Sequence, residues 1–251
     1  MKATALEFRY RLWIFLVIYI LGFVAPWDFV LHLDGTGPNA HVWARLAIFL
    51  SRNGATTIGT AFNALLIAGI VCAGLGAWMR TWGSAYLGVD VMRDGQMRGD
   101  RVVADGPYRY VRNPLYLGVL IHTLALALLM PASGAIFALV LVVIFQVRLI
   151  VGEEAFLRTK LGEPYVDYCA KVPRLIPALR PRVAGSGARP QWMRAAVAEI
   201  FMWGVTASFA VLGWRYDATL LIQCVLVWLG VSLVAHAIDE PATPPIATNP
   251  R

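Results

Sequence analysis

Six apolar runs separated by polar segments make up most of this chain. The first follows a short basic start with Lys2, Arg9 and Arg11 and extends from Leu12 to Leu33. It is longer than the apolar region of a signal peptide and has no small-residue cleavage site after it. A first spanning helix, disturbed near Pro26, is therefore expected. From Asp34 to Asn53 the pattern is mixed, and His41 to Leu50 reads as a short helix lying in the membrane interface. His32 and His41 lack a neighbouring second ligand, so surface or interface positions are expected for both. The second run, Thr56 to Met79, carries Gly59, Gly69, Gly74 and Gly76, a spacing suited to close helix packing in lipid.

Charge and glycine dominate from Arg80 to Arg112, a loop of about 30 residues and longer than a connection needs. A third run, Leu115 to Met130, is stopped by Pro131, and a fourth begins near Ser133, so the two must form a tight antiparallel hairpin. Helical periodicity in the fourth continues from Gly134 to Leu161, where Gly162 and Pro164 supply stop signals. At ~1.5 Å per residue that helix is roughly 40 Å long, against a hydrocarbon core of about 30 Å. Its last turns, with Glu153, Glu154, Arg158 and Lys160, should therefore project into the cytoplasm. A Pro/Gly/Ser segment to Pro190 reads as flexible. Two more runs, Ala195 to Trp214 and Ala218 to Ile238, read as a second hairpin, and the tail from Asp239 as disordered.

The pattern predicts an all-α, polytopic membrane protein of about six transmembrane helices, with a tight helical hairpin in its core. Its parts are residues 1–79, an N-terminal helical region; 80–180, a central core; 191–238, an additional C-terminal hairpin; and 239–251, a tail. Composition agrees: 59% hydrophobic and 15% charged residues, with a mean hydropathy of +0.63, exclude an ordinary soluble domain. The net charge of +7 does not mark a nucleic-acid partner, because the basic residues flank apolar runs. With both termini cytoplasmic, 19 Lys and Arg fall inside and three outside, an orientation that the positive-inside rule favours. Cys72, Cys169 and Cys224 are far apart and suggest neither a disulfide framework nor a metal site.

Candidate chemistry gathers in two places. Asn113-Pro114 is a helix-start signature, in which the asparagine side chain accepts bonds from first-turn amides. With Arg109 and Arg112 beside it, that helix N-terminus is a candidate anion site; otherwise the arginines are interface anchors. Glu153 and Glu154 lie near the membrane surface, where acids are expensive and usually functional, although Glu154 also has the spacing of a surface pair with Arg158. Tyr108, Tyr110, Tyr116, Tyr165 and Tyr168 are available for cation–π or hydrogen-bonding contacts. His122 either faces the same pocket as Tyr116 or is a packed histidine. Glu199 suits a helix start and is given no role. Motifs for a Walker loop, a Rossmann fingerprint or a zinc hydrolase do not occur.

The stretch Gly106-Pro107-Tyr108-Arg109-Tyr110-Val111-Arg112-Asn113-Pro114-Leu115-Tyr116-Leu117-Gly118, followed by Glu153-Glu154, Gly162-Glu163-Pro164-Tyr165 and Val172-Pro173-Arg174, resembles the isoprenylcysteine carboxyl methyltransferase family. Phospholipid N-methyltransferases share much of the pattern. The resemblance covers Arg80 to Pro177 and implies an integral-membrane enzyme using S-adenosyl-L-methionine at the cytoplasmic leaflet, with an amphipathic or lipid-like substrate and the inner membrane as its location. It further implies that Val102 and Val103 line the nucleotide, that Tyr108, Asn113, Pro114 and Tyr116 contact the cofactor, and that Glu154 holds its cationic end, with Arg112 catalytic beside it. Arg148 is the approximate counterpart of the arginine that faces a substrate carboxylate. Asn113 stands where the family usually has histidine, and asparagine cannot titrate. The alternatives are an NADPH-dependent membrane sterol or enone reductase and a non-catalytic scaffold or transporter.

Overall fold

The computed structural model describes residues 2–24, 41–89, 91, 97 and 102–239. Among these the protein is helical, with a single isolated β-bridge between His41 and Pro131. In chain order the helices are α1 (Ala5–Arg9), α2 (Arg11–Val24), α3 (Val42–Arg52), α4 (Ile58–Leu87), α5 (Pro114–Ala127), α6 (Ala132–Leu161), α7 (Glu163–Lys171), α8 (Trp192–Ala198), α9 (Ile200–Leu212) and α10 (Ala218–Asp239). Three of them, α4, α6 and α10, are long and apolar enough to cross a membrane, and the bent pair α8–α9 makes up to four. Helices α2 and α5 are apolar but shorter. The expected disturbance at Pro26, the placement of His32 and the tail beyond Asp239 lie outside the described residues.

Several boundaries move for identifiable reasons. Thr57 caps α4 by accepting from the Thr60 amide. No breaker intervenes before Gly88, so α4 runs eight residues past the expected Met79 and Arg80 is a helix residue, not a loop residue. Helix α5 stops three residues short of Met130, because Leu128, Leu129 and Met130 tighten into bonds to the carbonyls three residues back. Helix α3 is present, but it does not simply lie in the interface. Trp43 is 2% exposed and donates Nε1 to the Phe62 carbonyl, while the Val42 and Trp43 amides cap the α5–α6 turn at Met130 and Leu128. The run from Ala195 to Trp214 is not one helix: α8 and α9 meet at a 70° bend. The short helices α1, with a Thr4–Glu7 capping box, and α7 were not anticipated.

The most extensive helix pairing is between α4 and α5. A Cβ on Gly76 would lie 2.7 Å from the Gly118 carbonyl oxygen and 2.8 Å from the His122 amide, so the two backbones approach as only glycine permits. A Cβ on Gly69 would lie 3.1 Å from Leu128 and Phe209, whereas one on Gly74 would make an ordinary contact and one on Gly59 would face open space. The packing expected of all four glycines therefore holds for Gly69 and Gly76. The interior between these helices, α2, α6 and α9 is filled by Leu66, Leu129, Met130, Leu149 and Phe209.

The segment after α7 is not loose. Its backbone runs over the loop before α5, with bonds from the Arg112 amide to Pro173, from the Ala178 amide to Tyr110 and from the Arg182 amide to Arg109. Asp105 fastens the far end, accepting from the Ser186 amide at 2.7 Å, the Gly187 amide at 3.2 Å and the Ser186 hydroxyl. Burial pushes the Asp105 carboxyl up, and the bonds from Ser186 and Gly187 outweigh it, holding its pKa below the usual 3.8.

Gly76→Ala is expected to cost about 1–3 kcal/mol as an over-packed contact, read as a lower melting temperature in detergent, while Gly74→Ala leaves it unchanged. The Asp105 bonds contribute fully above the carboxyl's ordinary pKa of 3.8 and are lost as pH falls through its lower folded value. Amide exchange at residues 183–188, corrected for intrinsic rate, should therefore accelerate only below that ordinary value, and Asp105→Asn should show the fast exchange at neutral pH.

Candidate functional site

A single turn of 3-10 helix, Gly106–Arg109, leads into α5. Gly106 takes φ +54° with the Tyr86 ring where a side chain would stand, so the chain turns sharply against α4. Pro114 occupies the first helical position of α5 and Asn113 precedes it. The expected cap is not formed: the Asn113 side chain accepts nothing from the first-turn amides. Its Nδ2 donates instead to Glu154 Oε1 at 3.3 Å and to the Arg174 carbonyl at 3.1 Å. A buried carboxylate is the stronger draw on a buried amide.

Glu154 is 2% exposed near the C-terminal end of α6 and is the hub of the site. Arg112 Nε reaches its Oε1 at 3.0 Å. Arg174 grips both oxygens, Nε to Oε1 at 3.1 Å and Nη2 to Oε2 at 2.8 Å. The pair with Arg158 expected from helix spacing also exists, but at 3.7 Å it is the longest of the three. One carboxylate thus faces three guanidinium groups, and the site carries excess positive charge. Arg112 is fixed further by donating Nη1 to the Cys169 and Val172 carbonyls at 2.5 and 3.0 Å. Arg174 is 47% exposed, and its bond to Glu154 raises its pKa further above the ordinary arginine value. Beside these residues opens a groove of about 510 Å³ lined by Arg112, Lys171, Val172, Arg174 and Arg182.

The arginines expected to flank the α5 N-terminus are therefore used otherwise. Arg112 turns to Glu154, and Arg109 donates Nε to the Val183 carbonyl at 3.0 Å, on the wall of a second groove of about 490 Å³ with Trp82, Tyr86 and Tyr110. Glu153 accepts from the Tyr116 hydroxyl at 3.0 Å. Tyr108 is buried, its carbonyl accepts from the Tyr168 hydroxyl at 2.8 Å, and its own hydroxyl has no hydrogen-bond partner among the described residues. Burial pushes the Tyr108 and Tyr168 phenols well above their ordinary pKa, so both remain neutral donors at physiological pH. Val102 packs on the cluster of Tyr165, Tyr168 and Val172, and Val103 beside it is half-buried. Among the described residues the cation–π pairs are Arg9–Tyr10, Arg11–Phe8 and Lys160–Phe156, outside this tyrosine group.

Two expected members stand apart. Arg148 pairs with Glu7 through two contacts of 2.8 and 2.9 Å, which ties α1 to α6. His122 does not share a pocket with Tyr116. Its Nδ1 lies 3.3 Å from the Ala73 carbonyl and its ring is near Phe201, so the packed reading is the correct one. Arg174 is a site residue that pattern reasoning left out of the cluster, although Val172-Pro173-Arg174 belongs to the motif. Arg80 and Glu199 also went unpaired in sequence, and the available signal was two opposite charges in separate apolar surroundings.

Known proteins match part of this chain. The family model described as phospholipid methyltransferase matches residues 64–163, which run from α4 to the end of α6. A Protein-S-isoprenylcysteine O-methyltransferase from Schizosaccharomyces pombe is 34% identical over 116 residues, covering 44% of this chain and 48% of that protein. The chain thus spans about half the length of the curated relative it matches. No solved structure matches. The segment 64–163, which carries Arg112, Asn113, Tyr116 and Glu154, is thus similar to phospholipid methyltransferases, and the chain is similar over part of its length to an isoprenylcysteine O-methyltransferase.

Proposed function

We propose that this protein is an integral-membrane, S-adenosyl-L-methionine-dependent methyltransferase acting on an amphipathic or lipid-like substrate. The observation that carries the reading is the Glu154 hub. The amino-acid end of the cofactor is a zwitterion, and the hub offers both complements within one site: a buried carboxylate for an ammonium, and the Arg112 and Arg174 guanidiniums for a carboxylate. The unpartnered Tyr108 hydroxyl supplies a further buried donor. The residues present fit the group.

When bound, the cofactor supplies an electrophilic methyl sulfonium. The chain's own part is placement. Arg112, 9% exposed in its side chain and anchored to two carbonyls, is the fixed cation, while the half-exposed Arg174 is free to turn into the groove and release one face of Glu154. The hydrophobic wall of Val102, Tyr165 and Val172 excludes water from a reaction in which an anionic nucleophile and a sulfonium neutralise one another. Alignment and fixed dipoles then supply the remaining catalysis. Asn113 holds Glu154 through a neutral donor, so no proton transfer is assigned to it.

The Schizosaccharomyces pombe relative is named for O-methylation of S-isoprenylcysteine, and an apolar chain bearing a carboxylate is the substrate type that this reading favours. Six spans, cytoplasmic termini and an inner-membrane site facing the cytoplasm complete the proposal. The shorter helices α2 and α5 would be the additional spans, and moving Arg80 into the bundle leaves the charge bias toward that side intact.

S-adenosylhomocysteine should raise the melting temperature of the purified protein in detergent, and NADPH should not; the reverse result would support the reductase alternative. Glu154→Gln should weaken S-adenosylhomocysteine binding by about 10- to 150-fold, the loss of charge-assisted hydrogen bonds worth roughly 1.5–3 kcal/mol. Arg148→Gln should lower thermal stability and leave that affinity unchanged, as measured by calorimetric titration.

A further inference from the structure

An arginine and a glutamate meet inside the helical bundle. Arg80 on α4 donates Nε to Glu199 Oε2 at 2.6 Å and Nη2 to Oε1 at 2.8 Å, and Ser84 one turn later donates Oγ to Oε1 at 2.9 Å. Glu199 is 3% exposed and sits at the 70° bend between α8 and α9. Two neighbouring bonds fasten the same faces together: Trp203 Nε1 to Thr81 Oγ1 at 2.9 Å, and the Gln191 amide to the Ala85 carbonyl at 2.9 Å. The C-terminal hairpin, which lies beyond the matched residues 64–163, is thereby bound to the family core through α4.

The other flank of Arg80 is the candidate site. Its Cγ lies 2.6 Å from where a side-chain carbon on Gly118 would begin, so the arginine stem is pressed onto the early turns of α5. Tyr108 and Tyr116 both lie in the electrostatic field of its guanidinium. An ion pair in such surroundings is a poor stabilising device, since an apolar pair of similar volume is often as stable or more so. Ionisable groups at membrane depth are costly and tend to mark function.

We propose that Glu199 is a positioning residue of the site: by holding Arg80 flat against Gly118 it sets the depth and rotation of the first turns of α5, and with them Tyr116. The C-terminal hairpin is then part of the working unit. The role of the pair in methyl transfer rests on the function proposed above, whereas its effect on α5 does not.

The test is the double variant Arg80→Met/Glu199→Met, which removes both charges and keeps side-chain volume, compared with the intact full-length protein in detergent. Its melting temperature should stay within a few degrees of the wild type. Amide exchange at residues 115–118 should accelerate, and turnover of labelled S-adenosyl-L-methionine should fall by about 10- to 100-fold, the scale of a small misplacement of reacting groups. A stable double variant with unchanged exchange at 115–118 and unchanged turnover overturns the proposal. If the double variant does not fold, Glu199→Gln, which keeps shape but can accept only one of the two Arg80 bonds, is read in the same two ways; wild-type exchange at 115–118 overturns the proposal there also. A wild-type protein that binds no S-adenosylhomocysteine would defeat the methyltransferase reading, and the exchange measurement would still decide the role of Glu199.

Discussion

A carboxylate that is 2% exposed at the end of a membrane helix must be neutralised, and much of this fold is arranged around doing so for Glu154. The effective cost of burying such an ion is several kcal/mol, and removing a partner from a buried pair costs about 3–5 kcal/mol. The partners come from three separate pieces of chain: Arg112 and Asn113 before α5, Arg158 on α6 itself, and Arg174 beyond α7. Meeting that one charge fixes where α5 begins relative to α6. It also draws the segment after α7 back over the motif loop, where the bonds of Arg112, Ala178 and Arg182 and the Asp105 staple hold it.

A second charge pair lies elsewhere in the bundle. Arg80 and Glu199 do for α4 and the C-terminal hairpin what the Glu154 hub does for α5, α6 and α7. Next to Arg80 lies the Gly76–Gly118 contact, where the α4 and α5 backbones meet. The three together form a frame: a glycine contact that lets the backbones approach and two ion clusters that set their register. Lipid offers no hydrophobic drive for helices to associate, so close packing and polar contacts must supply the specificity.

The helices were legible because apolar runs with clear breakers leave few alternatives. Pro131, Gly162 and Asn113-Pro114 placed the ends of α5 and α6 within a few residues. The overruns and bends were not legible, since they depend on distant partners. Nothing local shows that Arg80 stays in α4 because Glu199 meets it, or that the chain bends at Glu199. In the site, Glu154, Arg112 and Asn113 were found through the motif, and the structure brings them together. Their roles were less legible. Asn113 looked like a cap and is a donor to Glu154; Arg148 looked like a substrate contact and pairs with Glu7. Spacing along a helix tells which residues share a face, but not which of several nearby charges wins a buried carboxylate.

We propose that the Glu154 hub and the loop before α5 form the methyl-donor site. Direct ultraviolet cross-linking of methyl-labelled S-adenosyl-L-methionine to the membrane-reconstituted protein, followed by peptide mapping, tests it most directly. Label is expected on peptides spanning residues 102–116 or 153–174, displaced by S-adenosylhomocysteine. Displaceable label confined to peptides outside those two segments, or label that S-adenosylhomocysteine does not displace, would contradict it.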